Sequence, residues 1–313
     1  MVGGLSAWAM LGLAALTLQT APVPQSRQTP TEPPASPVDD VEVVAGALPE
    51  AVRAFVDEVA APVNQRGIAR WNSIKVCIGA VNMRREAAQT LIDHVSTVAF
   101  DYGIETGEPG CKPNVLVIGA ADGAVMADGL AAARPRAFRI GASRIDQGPA
   151  AFERFRTSDA PVRWWQISMP TDSWTGNPVV RMPGQRPPRI EIFAKSQMRG
   201  RIRDDLKRVI VIVDFNSANG MTFDQLGDYI AMVAFAQIDP EADTSEFQTV
   251  LNLFDRPAAE RAGAGGLTDW DRAYLSTLYD YRNERILPFR QAELMTTALR
   301  PDADQPNADP SEP

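Results

Sequence analysis

The chain contains one histidine, His94, in 313 residues. That shortage excludes a pair of histidine ligands within one chain, and with it the helical His-Glu-x-x-His site of a zinc peptidase. A Ser-His-Asp triad would have to use His94. Gly141-Ala-Ser143 begins a nucleophile elbow, but Ile145 stands where its closing glycine is needed. On its helix His94 lies at the edge of an apolar stripe, where a lone histidine reads as a partly exposed structural residue. Cysteine is almost as scarce. Cys77 and Cys111 alone cannot build a thiolate zinc site. Basic charge is in deficit too: the net charge is −8 and the pI about 4.9. An acidic chain does not suit the neutralisation of nucleic-acid phosphates. Arg199-Gly-Arg-Ile-Arg203 with Lys207-Arg208 is the densest basic stretch, and reads as a solvated helix face.

The chain is short of long apolar runs as well. Ala7–Leu18, about 12 residues, has the length of a signal-peptide core and falls short of a spanning helix. The stretch before it carries no Lys or Arg, and Leu18-Gln-Thr-Ala21 lacks a clean small-x-small cleavage pattern. Residues 1–21 are therefore expected to be a leader or an N-terminal anchor, and 22–40 a Pro-rich disordered linker. The acidic, Pro-rich segment 300–313 is expected to be a disordered tail. Export to a periplasmic or secreted location follows, with a membrane tether through 1–21 as the variant. In an oxidising compartment, Cys77 and Cys111 are expected to form a structural disulfide, the alternative being two buried thiols.

What is present is ample apolar material, 45% of the chain. The expected fold class is mixed α/β (α+β). An N-terminal unit at 41–137 reads as helix Pro49–Val59, strand Ile74–Val81, helix Arg84–Asp101, strand Val115–Ile118 and helix Asp122–Ala133. Its β-α-β-α order favours adjacent parallel strands. Gly103 is a C-cap candidate. Gly119-Ala-Ala-Asp-Gly123 lacks both GxGxxG spacing and a GK[ST] ending, so it reads as a plain strand-to-helix turn. A second region, 138–299, is strand-rich and then helical, and can form one domain with the first. Val162–Met169 and Arg189–Phe193 are expected strands, paired as a long hairpin. Val209–Asp214 is a buried strand. Helices are expected at Thr222–Gln237, with Phe223, Leu226, Ile230, Val233 and Ala234 as its apolar stripe, from Ser245 and from Thr268, with a capping box at Thr222-Phe-Asp-Gln225.

Four features carry candidate chemistry. Asp239-Pro-Glu241-Ala-Asp243-Thr-Ser245 alternates oxygen ligands as a calcium loop does. Thr244 and Val250 occupy the EF-hand glycine and glutamate positions, so the stretch reads as an acidic turn. Trp164, Trp165 and Trp174 could stack on a glycan or peptide, although adjacent strand residues must face opposite ways. Gln225, Asp228 and Tyr229 begin the long C-terminal helix and are expected to line a groove. Asp228 could serve as a general base only if burial or a like charge moved its pKa.

The stretch Val209–Tyr279 resembles the C-terminal part of an uncharacterised family of bacterial envelope proteins, some of them described as zincin-like metallopeptidases. The resemblance rests on Ala236-Gln-Ile-Asp-Pro240, Asn252-Leu-Phe254 and Leu267-Thr-Asp-Trp-Asp-Arg-Ala-Tyr-Leu-Ser-Thr-Leu-Tyr279. It implies a degenerate zincin-like fold: Gln225-Leu-Gly-Asp-Tyr229 stands where His-Glu-x-x-His would be, so metal and cofactor are expected to be lacking. The functional expectation is a non-catalytic binding or structural module of the envelope, with a protein, peptide or glycan partner. The alternative is a metal-independent hydrolase acting on an envelope peptide or glycan. Ligand-groove candidates are Gln225, Asp228, Tyr229, Trp164 and Trp165.

Overall fold

The computed structural model describes residues 38–63, 66–72, 74–138, 145–180, 202–280, 282 and 285–300, with side chains from residue 47 onward. The chain divides at Asp39/Asp40, and everything below concerns the second unit. The expected leader, most of the expected linker, the strand at Arg189–Phe193 and the expected tail beyond Arg300 lie outside the described residues.

The architecture is mixed α/β: a four-stranded mixed sheet, with nine α-helices among the described residues. The strands are β1 (Ile78–Val81), β2 (Val115–Ala120), β3 (Val162–Asp172) and β4 (Ile202–Asp214). Their order across the sheet is β1-β2-β4-β3. β1, β2 and β4 run parallel, as the β-α-β reading requires, and β3 runs antiparallel along β4. Strands from both sequence regions thus share one sheet.

Helices cover both faces. On one lie α1 (Val38–Val59), α2 (Arg85–Asp101), α6 (Phe223–Phe235), α8 (Asp269–Leu278) and α9 (Pro288–Leu299). They share a core with the alternate strand residues Val115, Val117, Trp164, Val209, Val211 and Val213. On the other lie α3 (Gly123–Ala133), α4 (Pro135–Phe138) and α5 (Gly148–Thr157), packed on Ile118, Trp165, Ile167, Ile210 and Ile212. A strand's period of two sorts odd from even positions into the two cores. A short helix, α7 (Ala258–Arg261), completes the set.

Several expectations meet a different outcome. α1 starts at Val38, so it takes in Pro49 and reaches into the stretch read as linker. β3 pairs along its whole length with β4, while the expected hairpin partner of Val162–Met169, Arg189–Phe193, lies outside the described residues. The basic stretch is strand from Ile202 onward, not helix: Arg203 and Lys207 both pair with the buried carboxylate of Asp205. In the region after Ser245 the regular element is a short 3-10 turn, Val250–Leu253. Both capping boxes form. Thr222 with Gln225, and Thr268 with Asp271, exchange the reciprocal bonds that satisfy the first amides of α6 and α8. Gly103 takes a left-handed φ of 68° just past α2, as a C-terminal glycine should.

Cys77 and Cys111 are joined in a disulfide beside the β1–β2 pair. The bridge suggests an oxidising, extracytoplasmic location. Among the described residues, no helix is long and apolar enough to cross a membrane.

Candidate functional site: a roofed groove at the sheet edge

The helix expected to border a groove is buried on nearly every side. Ten of the residues of α6 are buried, Gln225 and Tyr229 among them. The expected amphipathic stripe therefore understates its burial, because α2, the sheet, the 3-10 turn and α8 enclose it. Gln225 is a structural tether. Its side-chain amide donates to the carbonyls of Arg261 (2.9 Å) and Ala264, and its Oε1 accepts from Thr222 N–H (2.9 Å). Tyr229 packs edge-on between Phe254 (4.9 Å) and Trp164 (6.3 Å), and burial pushes its phenol well above the ordinary range. Neither side chain is placed to meet a ligand.

Asp228 is committed on both oxygens. Oδ1 lies 2.7 Å from His94 Nε2, and Oδ2 accepts from Leu267 N–H at 3.0 Å. The other ring nitrogen of His94 lies 3.5 Å from Asp224. The imidazole thus bridges two carboxylates one turn apart on α6, clamping α2 to that helix. Gly227 makes the approach possible, since a Cβ there would sit 2.4 Å from the His94 ring. Nε2 is held by Asp228, and Nδ1 faces the exposed carboxylate of Asp224. The carboxylates occupy opposite sides of the ring and do not converge on a common point. Among the described residues, no three His, Cys, Asp or Glu side chains form a candidate metal set. In the Asp239–Ser245 stretch, Asp239 and Asp243 accept from the backbone N–H groups of Glu241 and Ser245, as acidic turns do.

The two tryptophans separate as strand geometry requires. Trp164 faces the α6 core, and its indole N–H donates to Ile238 O at 3.1 Å. Trp165 faces the α5 core among Phe138, Phe152 and Phe155, and donates to Phe138 O at 3.0 Å. Their ring faces are spent on packing, so they form no open stacking platform. Trp174 is the exposed member of the three, at 72%.

A cavity of about 230 Å³ lies where Trp164 and Trp165 meet, at the outer edge of β3. It is lined by Val162–Gln166, by Ala151, Phe155 and Ser158 of the α5 region, and by the Ile238–Glu241 segment. The hydrogen-bond pattern of β3 shows which backbone groups face outward. Asp214 N–H donates to Pro161 O, so pairs 163/212 and 165/210 also face each other across β3 and β4. Even-numbered residues of β3 must then point their N–H and C=O away from β4. Ser168 N–H does so, reaching Ile145 O, and so do the outer groups of Pro170 and Asp172, which bond Val179 and Asn177. The outward groups of Val162, Trp164 and Gln166 run along the stretch that lines the cavity.

Among the described strands β3 lies at the edge of the sheet, yet all of its residues are buried. Part of the cover comes from straps that cross the edge from α5 to the opposite face. Arg154 Nε bonds Glu241 Oε2 at 2.8 Å, and Gln147 Nε2 donates to Ala61 O at 2.8 Å. Arg163 shapes the α5 side. Its guanidinium donates to the carbonyls of Phe155, Arg156 and Ala160, stabilising the C-terminal end of α5. Burial lowers its pKa, opposed by Asp214.

Of the residues singled out from sequence, the structure brings Trp164 and Trp165 to this groove. Gln225, Asp228 and Tyr229 lie elsewhere. Gln147, Arg154 and Gln166 were missed, and Glu241 was noted only as part of an acidic turn, since their relation arises only when α5 and the Ile238–Glu241 segment meet across β3. Compared with known proteins, the chain matches no family model, no curated protein and no solved structure.

Proposed function

We propose that this protein is a non-catalytic, metal-less peptidase-like binding module of the cell envelope, which holds an extended peptide along the outer edge of β3. The observation that carries the reading is the cavity at Val162–Gln166, where outward strand groups lie beneath side-chain straps. Strand addition supplies affinity through main-chain hydrogen bonds and selectivity through pockets for alternate side chains. At about 230 Å³ the cavity is smaller than the ~300–1,000 Å³ typical of small-molecule sites. The committed faces of Trp164 and Trp165 favour peptide over glycan. The location proposed is periplasmic or secreted, with residues 1–21 as leader or anchor and the disulfide as the supporting observation.

The test is amide hydrogen exchange on the full chain, with a blocked synthetic peptide of alternating Thr and Val as probe. Protection of the Trp164 and Gln166 amides is expected on binding. Ser158→Trp, which fills the cavity from the end of α5, is expected to abolish that protection while leaving the unfolding midpoint nearly unchanged. Protection confined to some other surface would refute the assignment.

A further inference from the structure

The Arg154–Glu241 ion pair is placed to do more than cover the groove. Arg154 stands on α5, over one face of the sheet, and Glu241 follows Ile238, which belongs to the core of the other face. Their contact must therefore cross the sheet edge. A strand added outside β3 would run beneath this contact, with alternate side chains rising toward Arg154 and falling toward Glu241. Both partners are about half exposed, at 50% and 56%. Exposed pairs of this kind contribute little to stability, so separating them is cheap. Once separated, each presents an unneutralised charge to one face of the incoming strand.

Resting on the peptide-binding reading above, we infer that Arg154 and Glu241 are the specificity-determining residues of the groove, exchanging each other for an acidic and a basic side chain on opposite faces of the bound strand. The ligand class is then an extended peptide with an acid and a base at adjacent positions, because neighbouring residues on a strand face opposite ways. Two acids at those positions would leave one beside Glu241, and two bases would leave one beside Arg154. Asp239, on the Glu241 side of the cavity, adds to the preference for a base there.

The experiment compares three blocked peptides on the full-length protein, all of alternating Thr and Val. One is neutral, one has a central Glu-Lys pair and one a central Glu-Glu pair. The Glu-Lys peptide is expected to bind about three- to five-fold more tightly than either of the others, the scale of one exposed ion pair. Glu241→Arg is expected to reverse the order, making Glu-Glu the best ligand, with folding checked by the urea midpoint. If all three peptides protect the Trp164 amide equally, and Glu241→Arg changes nothing, the inference falls while the peptide-binding reading stands. If no peptide protects that amide, both fall. A reversal in Glu241→Arg that is matched by loss of the Glu-Lys preference in Arg154→Glu supports both.

Discussion

Asp228 illustrates how much one carboxylate can hold together at the scale of a residue. It joins α2 through His94 and the loop before α8 through Leu267 N–H. Asp228→Ala leaves both partners without it and is expected to cost about 1–3 kcal/mol, read by urea denaturation. A cycle with His94→Ala should show coupling of about 0.5–3 kcal/mol. Strict additivity would mean that the clamp contributes nothing. The buried tyrosines give a second residue-scale expectation. Burial raises the phenols of Tyr229, Tyr274 and Tyr279, so the folded protein keeps their protons at pH values where the unfolded chain, with phenols near 10, loses them. Their contribution is complete below that ordinary value and is lost as pH climbs above it. In an alkaline titration, their phenolate absorbance should appear together with loss of ellipticity. Phenolates forming at the ordinary tyrosine pH with ellipticity intact would show that the rings are accessible.

At the scale of an element, the α2–α6 contact depends on a missing side chain. A Cβ on Gly227 would meet His94 Cδ2 at 2.4 Å, and the ring cannot swing away without leaving Asp228. Gly227→Ala is expected to cost about 1–3 kcal/mol through overpacking, partly relieved in a Gly227→Ala/His94→Ala double variant. The relief separates steric crowding from any change in helix propensity, which alone would favour alanine. The same element shows what periodicity conveys and what it leaves out. The capping box and the inward positions Leu226, Ile230, Val233 and Ala234 were legible, because capping and the 3.6-residue period are local properties, whereas Phe223, read as inward too, is exposed. Burial of Gln225 and Tyr229 was not legible, since it depends on Arg261, Ala264, Phe254 and Trp164, which are distant in sequence. A polar residue near a helix start looks like a groove-lining residue until its partners are known.

At the scale of the whole molecule, the disulfide ties the segment before β1 to the segment before β2. Closing a loop of 34 residues is worth roughly 3–4 kcal/mol in the chain-entropy model. Reduction, or a Cys77→Ala/Cys111→Ala variant, is expected to lower stability by about 2–4 kcal/mol in urea unfolding. An unchanged midpoint would mean that the β1–β2 pair is held by packing alone. The bridge was legible because the chain has two cysteines, each next to a strand-like run in a β-α-β order that places the strands side by side.

Amino-acid order alone specified the local structure: the parallel β1–β2 unit, the helix caps, and the assignment of Trp164 and Trp165 to opposite faces. Each follows from steric, capping or alternation rules that act within a few residues. Composition also sufficed to rule out a histidine-pair metal site. The antiparallel partner of β3, the doubly clamped His94 and the strapped groove were decided by tertiary structure. Each depends on segments far apart in sequence: β3 with β4, α2 with α6, and α5 with the Ile238–Glu241 segment across one strand edge. No window of sequence contains both sides of that edge.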